Sequence, residues 1–204
     1  MSKVLAYIES RDNKIKNAGF ETASTAVKIG KEISADVEAL LIGDNLSEAA
    51  SSLGEYGITQ VTIVEDSRLG KYSTTAYAKI IAEITRRNSA DIIFLSATAM
   101  GKDVAPRVSA KLEAGVATDC TELKVEGGEI IATRPVYAGK SYIDMKVTSA
   151  IKIYSLRPNV FKAEKESVTC NAERVSLRLS TCMEGSAQSS VVMKGCCWER
   201  TMKR

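Results

Sequence analysis

The chain has 204 residues, 45% hydrophobic and 26% charged, with 3 Pro and no His; this bounds it to one or one and a half globular domains with a real core and excludes a disordered or collagen-like polymer. The missing histidines remove every His-based triad, zinc site and haem ligation, and no run of about 18 apolar residues is present to insert into a membrane. The net charge of +3 is uneven: residues 1–166 carry 22 Lys+Arg against 22 Asp+Glu and residues 167–204 carry 6 against 3, so the body is neutral, without the basic stripe of a nucleic-acid-binding module.

Met1-Ser2-Lys3 runs directly into a strand-like segment with no leader pattern, and a bacterial cytoplasm is the expected compartment. Val4 to Ile8 is a compact apolar run of the buried-strand kind. From Asn17 to Ser34, Phe20, Ala23, Val27, Gly30 and Ile33 recur at helical spacing. Gly30 costs such a helix about 1 kcal/mol relative to Ala, which predicts close packing there against a strand. Val37 to Ile42 predicts a second strand, Ser47 to Leu53 a short helix ending at Gly54, and Gln60 to Val64 a third strand. Thr74 to Asn88 predicts a helix with Tyr77, Ile80, Ile81 and Ile84 inward, and Ile92 to Leu95 a fourth strand. Gly101 to Leu112 predicts a further helix, followed by strands over Cys120 to Val125, Glu129 to Arg134 and Ile143 to Tyr154, with Gly127-Gly128 as a hairpin turn. The alternation predicts an α/β three-layer sandwich, its sheet mostly parallel with antiparallel C-terminal strands.

Ligands in open α/β sheets lie at the carboxyl ends of the strands. The loop from Glu9 to Asn13 and the stretch from Ser96 to Gly101 are therefore where a nucleotide would sit, although neither holds a glycine-rich phosphate loop. Gly101-Lys102-Asp103 opens a helix that contains Pro106 and Arg107; a capped helix start and an anion or interface site both remain open for it. Pro135 places its strand at an edge or bulge, and Arg134 and Lys140 bracket the following turn, where they can hold an acidic partner group or remain merely solvated. Gly101, Lys102, Asp103, Arg107, Arg134 and Lys140 are thus the candidate interface or anion-site residues. No metal-ligand spacing occurs, and Cys120 reads as a small core residue. Catalytic residues are not expected.

Four segments carry a resemblance: VLAYIE at the start, LSATAMGKDVAPRVSAKLEAGVATDCTEL (Leu95 to Leu123), TRPVYAGK (Thr133 to Lys140) and SLRPNVF (Ser155 to Phe161). Over residues 1–166 the chain resembles the N-terminal domain of the electron-transfer flavoprotein α subunit. The resemblance implies an adenine-nucleotide α-hydrolase-like fold and a heterodimer with a β subunit that holds AMP. It also implies that FAD, bound by a separate α-subunit domain in the full complex, shuttles electrons from acyl-CoA and other dehydrogenases to a membrane quinone reductase. This chain is then an electron-transfer scaffold and not an enzyme. The flavin-domain motifs do not follow Glu166, so no flavin contact is carried over and the chain alone is expected to bind no cofactor. Residues 167–204 hold Cys170, Cys182, Cys196 and Cys197 and the single Trp198. A reading-frame shift and a genuine short extension, with Arg174 to Leu179 closing the sheet, are the two readings of that tail. The alternative function is a stand-alone adenine-nucleotide-binding domain of the universal-stress type. Without its β subunit the chain is expected to self-associate through an uncovered apolar patch.

Overall fold

The computed structural model describes residues 2–166, 168–175 and 198–203. Strand β1 (Lys3–Ile8) buries every residue after Lys3. A two-residue-strand hairpin, β2 (Ser10–Arg11) and β3 (Lys14–Ile15), leads from it into helix α1 (Asn17–Glu32). The turn of that hairpin is Asp12-Asn13, both at positive φ, which Asp and Asn tolerate through their short polar side chains. Then come β4 (Asp36–Gly43), α2 (Ser47–Ser51) with a 3-10 turn over Ser52–Glu55, β5 (Gln60–Glu65), α3 (Thr74–Asn88), β6 (Ile92–Ser96) and α4 (Ala99–Leu112). The remaining strands are β7 (Gly115–Cys120), β8 (Glu122–Glu126), β9 (Glu129–Val136), β10 (Ser141–Val147), β11 (Lys152–Leu156), β12 (Asn171–Arg174) and β13 (Trp198–Lys203).

The central sheet has seven strands in the order β12-β5-β4-β1-β6-β11-β7, and every pairing within it is parallel. One face packs Val4, Ala6, Ile8, Leu41, Ile63 and Phe94 beneath α1. The opposite face packs Leu5, Tyr7, Leu40, Ile93 and Ile153 beneath α3 and α4. Alternate residues of β1 thus feed two cores, as the period-two side-chain direction of a doubly covered strand requires. The packing anticipated at Gly30 is present: a Cβ there would lie 2.3 Å from Val37 Cγ2 of β4.

A second sheet, β13-β10-β9-β8, is antiparallel throughout. Gly127 and Gly128, both at positive φ, make the two-residue turn between β8 and β9. Pro135 lies in β9 beyond Thr133, where the pairing with β8 has ended, so its missing N–H breaks no ladder on that side. Tyr154 of β11 joins the two sheets: its Oη donates to the Ile130 carbonyl at 3.4 Å and its ring lies 5.5 Å from that of Phe94.

Two expectations need correction. The segment from Cys120 to Val125 is not one strand: Cys120 ends β7 in the central sheet, and β8 begins at Glu122 in the other. Ile143 to Tyr154 divides into β10 and β11, because Ser149 turns the chain, donating to the Ile151 carbonyl and accepting the Gly115 N–H at 2.7 Å. The expected antiparallel C-terminal strands are present, β8, β9 and β10 pairing in a small sheet beside the parallel one. Beyond residue 166, β12 adds to β5 at Asn171–Arg174; positions 176–179 of the expected closing strand lie outside the described residues.

Candidate functional site

From β1 the chain steps outward through β4 and β5, then returns to β6 on the other side of β1. That reversal creates the crevice at the carboxyl ends of β1 and β6 where such sheets take ligands. Both stretches singled out from the sequence meet there. Glu9 is only 6% exposed, and its carboxylate accepts a hydrogen bond from Thr98 Oγ1. Thr98 is also the N-cap of α4, accepting the Gly101 N–H at 3.1 Å. Below it Ser96 Oγ donates to the Ala18 carbonyl at 3.0 Å and meets Thr22 Oγ1 at 2.9 Å, tying β6 to α1. The floor of the crevice is therefore hydrogen-bonded within the protein and carries the buried carboxyl of Glu9, which an entering phosphate would meet. Adding AMP should leave the thermal midpoint unchanged. A ligand at 100 times its Kd would stabilise by about 2.7 kcal/mol, so a clear upward shift in a melting assay would contradict this geometry.

The six candidate residues do not form one site. Gly101 packs against β6 and its N–H is held by the cap. Asp103 and Arg107 pair across one helical turn at 3.7 Å, and Asp103 also accepts from Tyr72 Oη at 3.2 Å and from Thr74 Oγ1, fastening α3 to α4. The hydrogen bond from Thr74 holds the Asp103 carboxyl below the usual range.

Lys102 and Arg134 belong instead to a cluster at the carboxyl rim of β7 and β11. Between the register pairs Tyr154–Ala117 and Leu156–Cys120, β7 carries an extra residue. This bulge, with Asp119 at positive φ, re-aims its side chains. Asp119 receives two hydrogen bonds from Arg157, Nε at 3.0 Å and Nη2 at 2.5 Å. Thr118 Oγ1 accepts from Arg134 Nη1 at 2.9 Å, and Arg134 Nε is buried without a partner among the described residues. The bonds from Arg157 hold the Asp119 carboxyl below its ordinary range, helped by the charges of Arg157, Lys102 and Arg134. A depressed acid contributes stability above its unfolded pKa and loses it as pH falls through the lowered folded value. Asp119→Asn should therefore weaken the fall in stability below about pH 4, read from urea midpoints across pH; an unchanged acid limb would contradict the pairing.

Lys140 stands apart, exposed after the turn Tyr137–Gly139. Tyr137, Ala138 and Gly139 all have positive φ, and Tyr137 is 72% exposed. Cys120 is fully buried, which pushes its thiol up to about 12. Peptide mapping after alkylation of the native protein at pH 8 should find Cys120 unlabelled until denaturant is added; labelling at the rate of a free thiol would contradict its burial. Asp119 and Arg157 were not singled out as site residues, whereas Glu9 opens the loop that was. Asp119 and Arg157 stand in the segments VATDC and SLRPN, but local spacing gives no sign that residues 38 positions apart converge across two strands.

The fold defines a doubly covered parallel α/β domain, with its crevice at the carboxyl ends of β1 and β6. The family model for the electron transfer flavoprotein domain matches residues 4–180, and the chain belongs to the electron transfer flavoprotein family. It is 31% identical to the electron transfer flavoprotein subunit alpha of Bacillus subtilis over 180 residues, covering 87% of this chain and 54% of that protein. It is 32% identical to the corresponding subunit of Thermoanaerobacterium thermosaccharolyticum, covering 76% of this chain and 48% of that one. A third relative, 32% identical over 60% of this chain and 34% of its own length, is the acryloyl-CoA reductase electron transfer subunit beta of Anaerotignum propionicum. The chain spans about half the length of the curated α subunits it matches.

Proposed function

We propose that this chain is the N-terminal scaffold of an electron-transfer flavoprotein α subunit, which pairs with a β subunit and acts in electron transfer without catalytic residues of its own. The observation that carries the reading is the family match running through nearly every element of the described fold. The buried Glu9 carboxyl at the crevice, bonded to Thr98, weighs against a stand-alone adenine-nucleotide sensor, whose phosphates would meet it there. In the full complex FAD supplies the redox chemistry, and the scaffold's contribution is orientation; the AMP belongs in the β subunit. The electron donor is an acyl-CoA or other dehydrogenase, an assignment supported by the acryloyl-CoA reductase relative, and the acceptor is a quinone reductase. The compartment is a bacterial cytoplasm, in keeping with the bacterial relatives. No helix among the described residues is long and apolar enough to cross a membrane.

Sedimentation velocity of the purified chain mixed with an electron-transfer flavoprotein β subunit tests this. One 1:1 species at micromolar concentration is the expected result, with self-association of the chain when the β subunit is left out. Two species that sediment independently would overturn the reading.

A further inference from the structure

The two most exposed tyrosines of the described residues lie at one turn, near a group of cations. Tyr137 and Tyr142 are 72% and 53% exposed and lie at the two ends of the β9–β10 turn. Tyr142 sits opposite Pro135 in the hairpin, one position along from the pair Ile143–Arg134. Arg157 holds Asp119, and the fields of Lys102 and Arg134 reach that same carboxylate. Arg157 on Asp119 and Arg134 on the adjacent Thr118 thus place two guanidinium groups beside this turn, with Lys102 near enough to lower the same carboxyl, in a body whose total charge is zero.

The turn itself is held against its backbone preference. Tyr137 and Ala138 are consecutive non-glycine residues at φ 51° and 55°, a region that costs roughly 1–2 kcal/mol for a residue with a side chain. Packing within the chain does not offset this cost. Tyr137 has most of its surface in solvent, and a Cβ at Gly139 would meet nothing within 4 Å. A strained turn that holds an aromatic ring away from its own fold has the form of a docking anchor. Tyrosine with arginine is also the composition of binding hot spots, because a rigid ring offers large contact area at low entropic cost.

We propose that this rim receives the partner subunit of the complex inferred above, an inference that rests on that reading, and that the partner presents carboxylates to the cations and an apolar slot to Tyr137. The excess of cations over carboxylates sets the sign of the partner's surface. Association is then steered by charge and weakened by salt.

The test compares binding of the full chain and its variants to the β subunit by titration calorimetry at low and high salt. Tyr137→Gly removes the ring and suits the positive φ, Lys102→Glu reverses a rim charge, and Lys28→Glu reverses an exposed charge on α1 as a control. Tyr137→Gly should weaken binding at least about tenfold while leaving the thermal midpoint of the free chain unchanged or raised. Lys102→Glu should weaken binding and reduce its salt dependence, and Lys28→Glu should change neither. Binding by both rim variants with unchanged Kd would overturn the docking surface and leave the pairing intact. A loss of thermal stability in Tyr137→Gly without loss of affinity would show that the turn serves the fold, which overturns it equally. Failure of the unaltered chain to bind would overturn pairing and surface together.

Discussion

Gly101→Ala is expected to destabilise the fold by about 3 kcal/mol or more, lowering the thermal midpoint by roughly 6–12 °C for a chain of this size. A Cβ at this position would lie 1.8 Å from the Ser96 carbonyl oxygen and 3.0 Å from its carbon. The obstacle is backbone, which has no rotamer to escape into, so α4 must lift from β6. Lifting it would break the Thr98 cap and pull Thr98 away from Glu9. Alanine also favours the helix over glycine by about 1 kcal/mol, and the clash outweighs that gain. Urea unfolding measures the difference. A change smaller than about 1 kcal/mol would mean that the close contact between α4 and β6 is not maintained in solution.

A comparable loss, about 3–5 kcal/mol, is expected for Tyr154→Ala. Tyr154 is fully buried and among the largest side chains in the core, packed on Phe94 and bonded to Ile130 across the gap between the sheets. Burial also pushes its phenol well above the usual range, so at any accessible pH it serves as a neutral donor. Tyr154→Phe keeps the ring and gives up one long hydrogen bond, and should cost only about 1 kcal/mol. The ratio between the two variants is the diagnostic. Equal losses would place the stabilisation in the hydroxyl and contradict a packing role. Because Ile130 belongs to β9 and Tyr154 to β11, the alanine variant should also speed amide exchange in β9 before it does so in β1.

The α/β half of this architecture is legible residue by residue. Val4 to Ile8, Thr74 to Asn88 and Ile92 to Leu95 are strongly patterned, and the elements found there are Lys3–Ile8, Thr74–Asn88 and Ile92–Ser96. Gly30 and Gly127-Gly128 were legible because each answers to one mechanical demand, close approach in the first case and positive φ in the second. The edge after α4 was harder to read. Strand β7, Gly-Val-Ala-Thr-Asp-Cys, is built mostly from small residues and takes its place from β11, which follows 32 residues after Cys120 in the chain. Short-range pattern carries no trace of such a late partner. The join at Thr148 to Ile151 was missed for a related reason: Ser149 turns the chain by bonding to Gly115, a contact between segments distant in sequence.

The candidate site was legible in its parts but not in its grouping. The Glu9 and Ser96–Gly101 loops follow from the rule that ligands gather at strand carboxyl ends, and both do line the crevice. That a glutamate is buried there depends on its tertiary surroundings, which its flanking residues do not encode. Lys102 and Asp103, adjacent in the chain, separate on the helix surface so that one faces the Asp119 rim and the other ties down α3. Arg134 joins Lys102 only because the bulge in β7 presents Asp119 to both. Neighbours within one candidate stretch therefore make different contacts once folded.

On the proposed function this chain acts as the docking half of a flavoprotein, with FAD held elsewhere in the full complex. Titrating FAD into the purified chain, with visible absorbance and flavin fluorescence recorded, tests it most directly. The account predicts free-flavin spectra throughout, with no quenching and no flavin retained after gel filtration. Stoichiometric retention of FAD with a shifted absorbance band would contradict it.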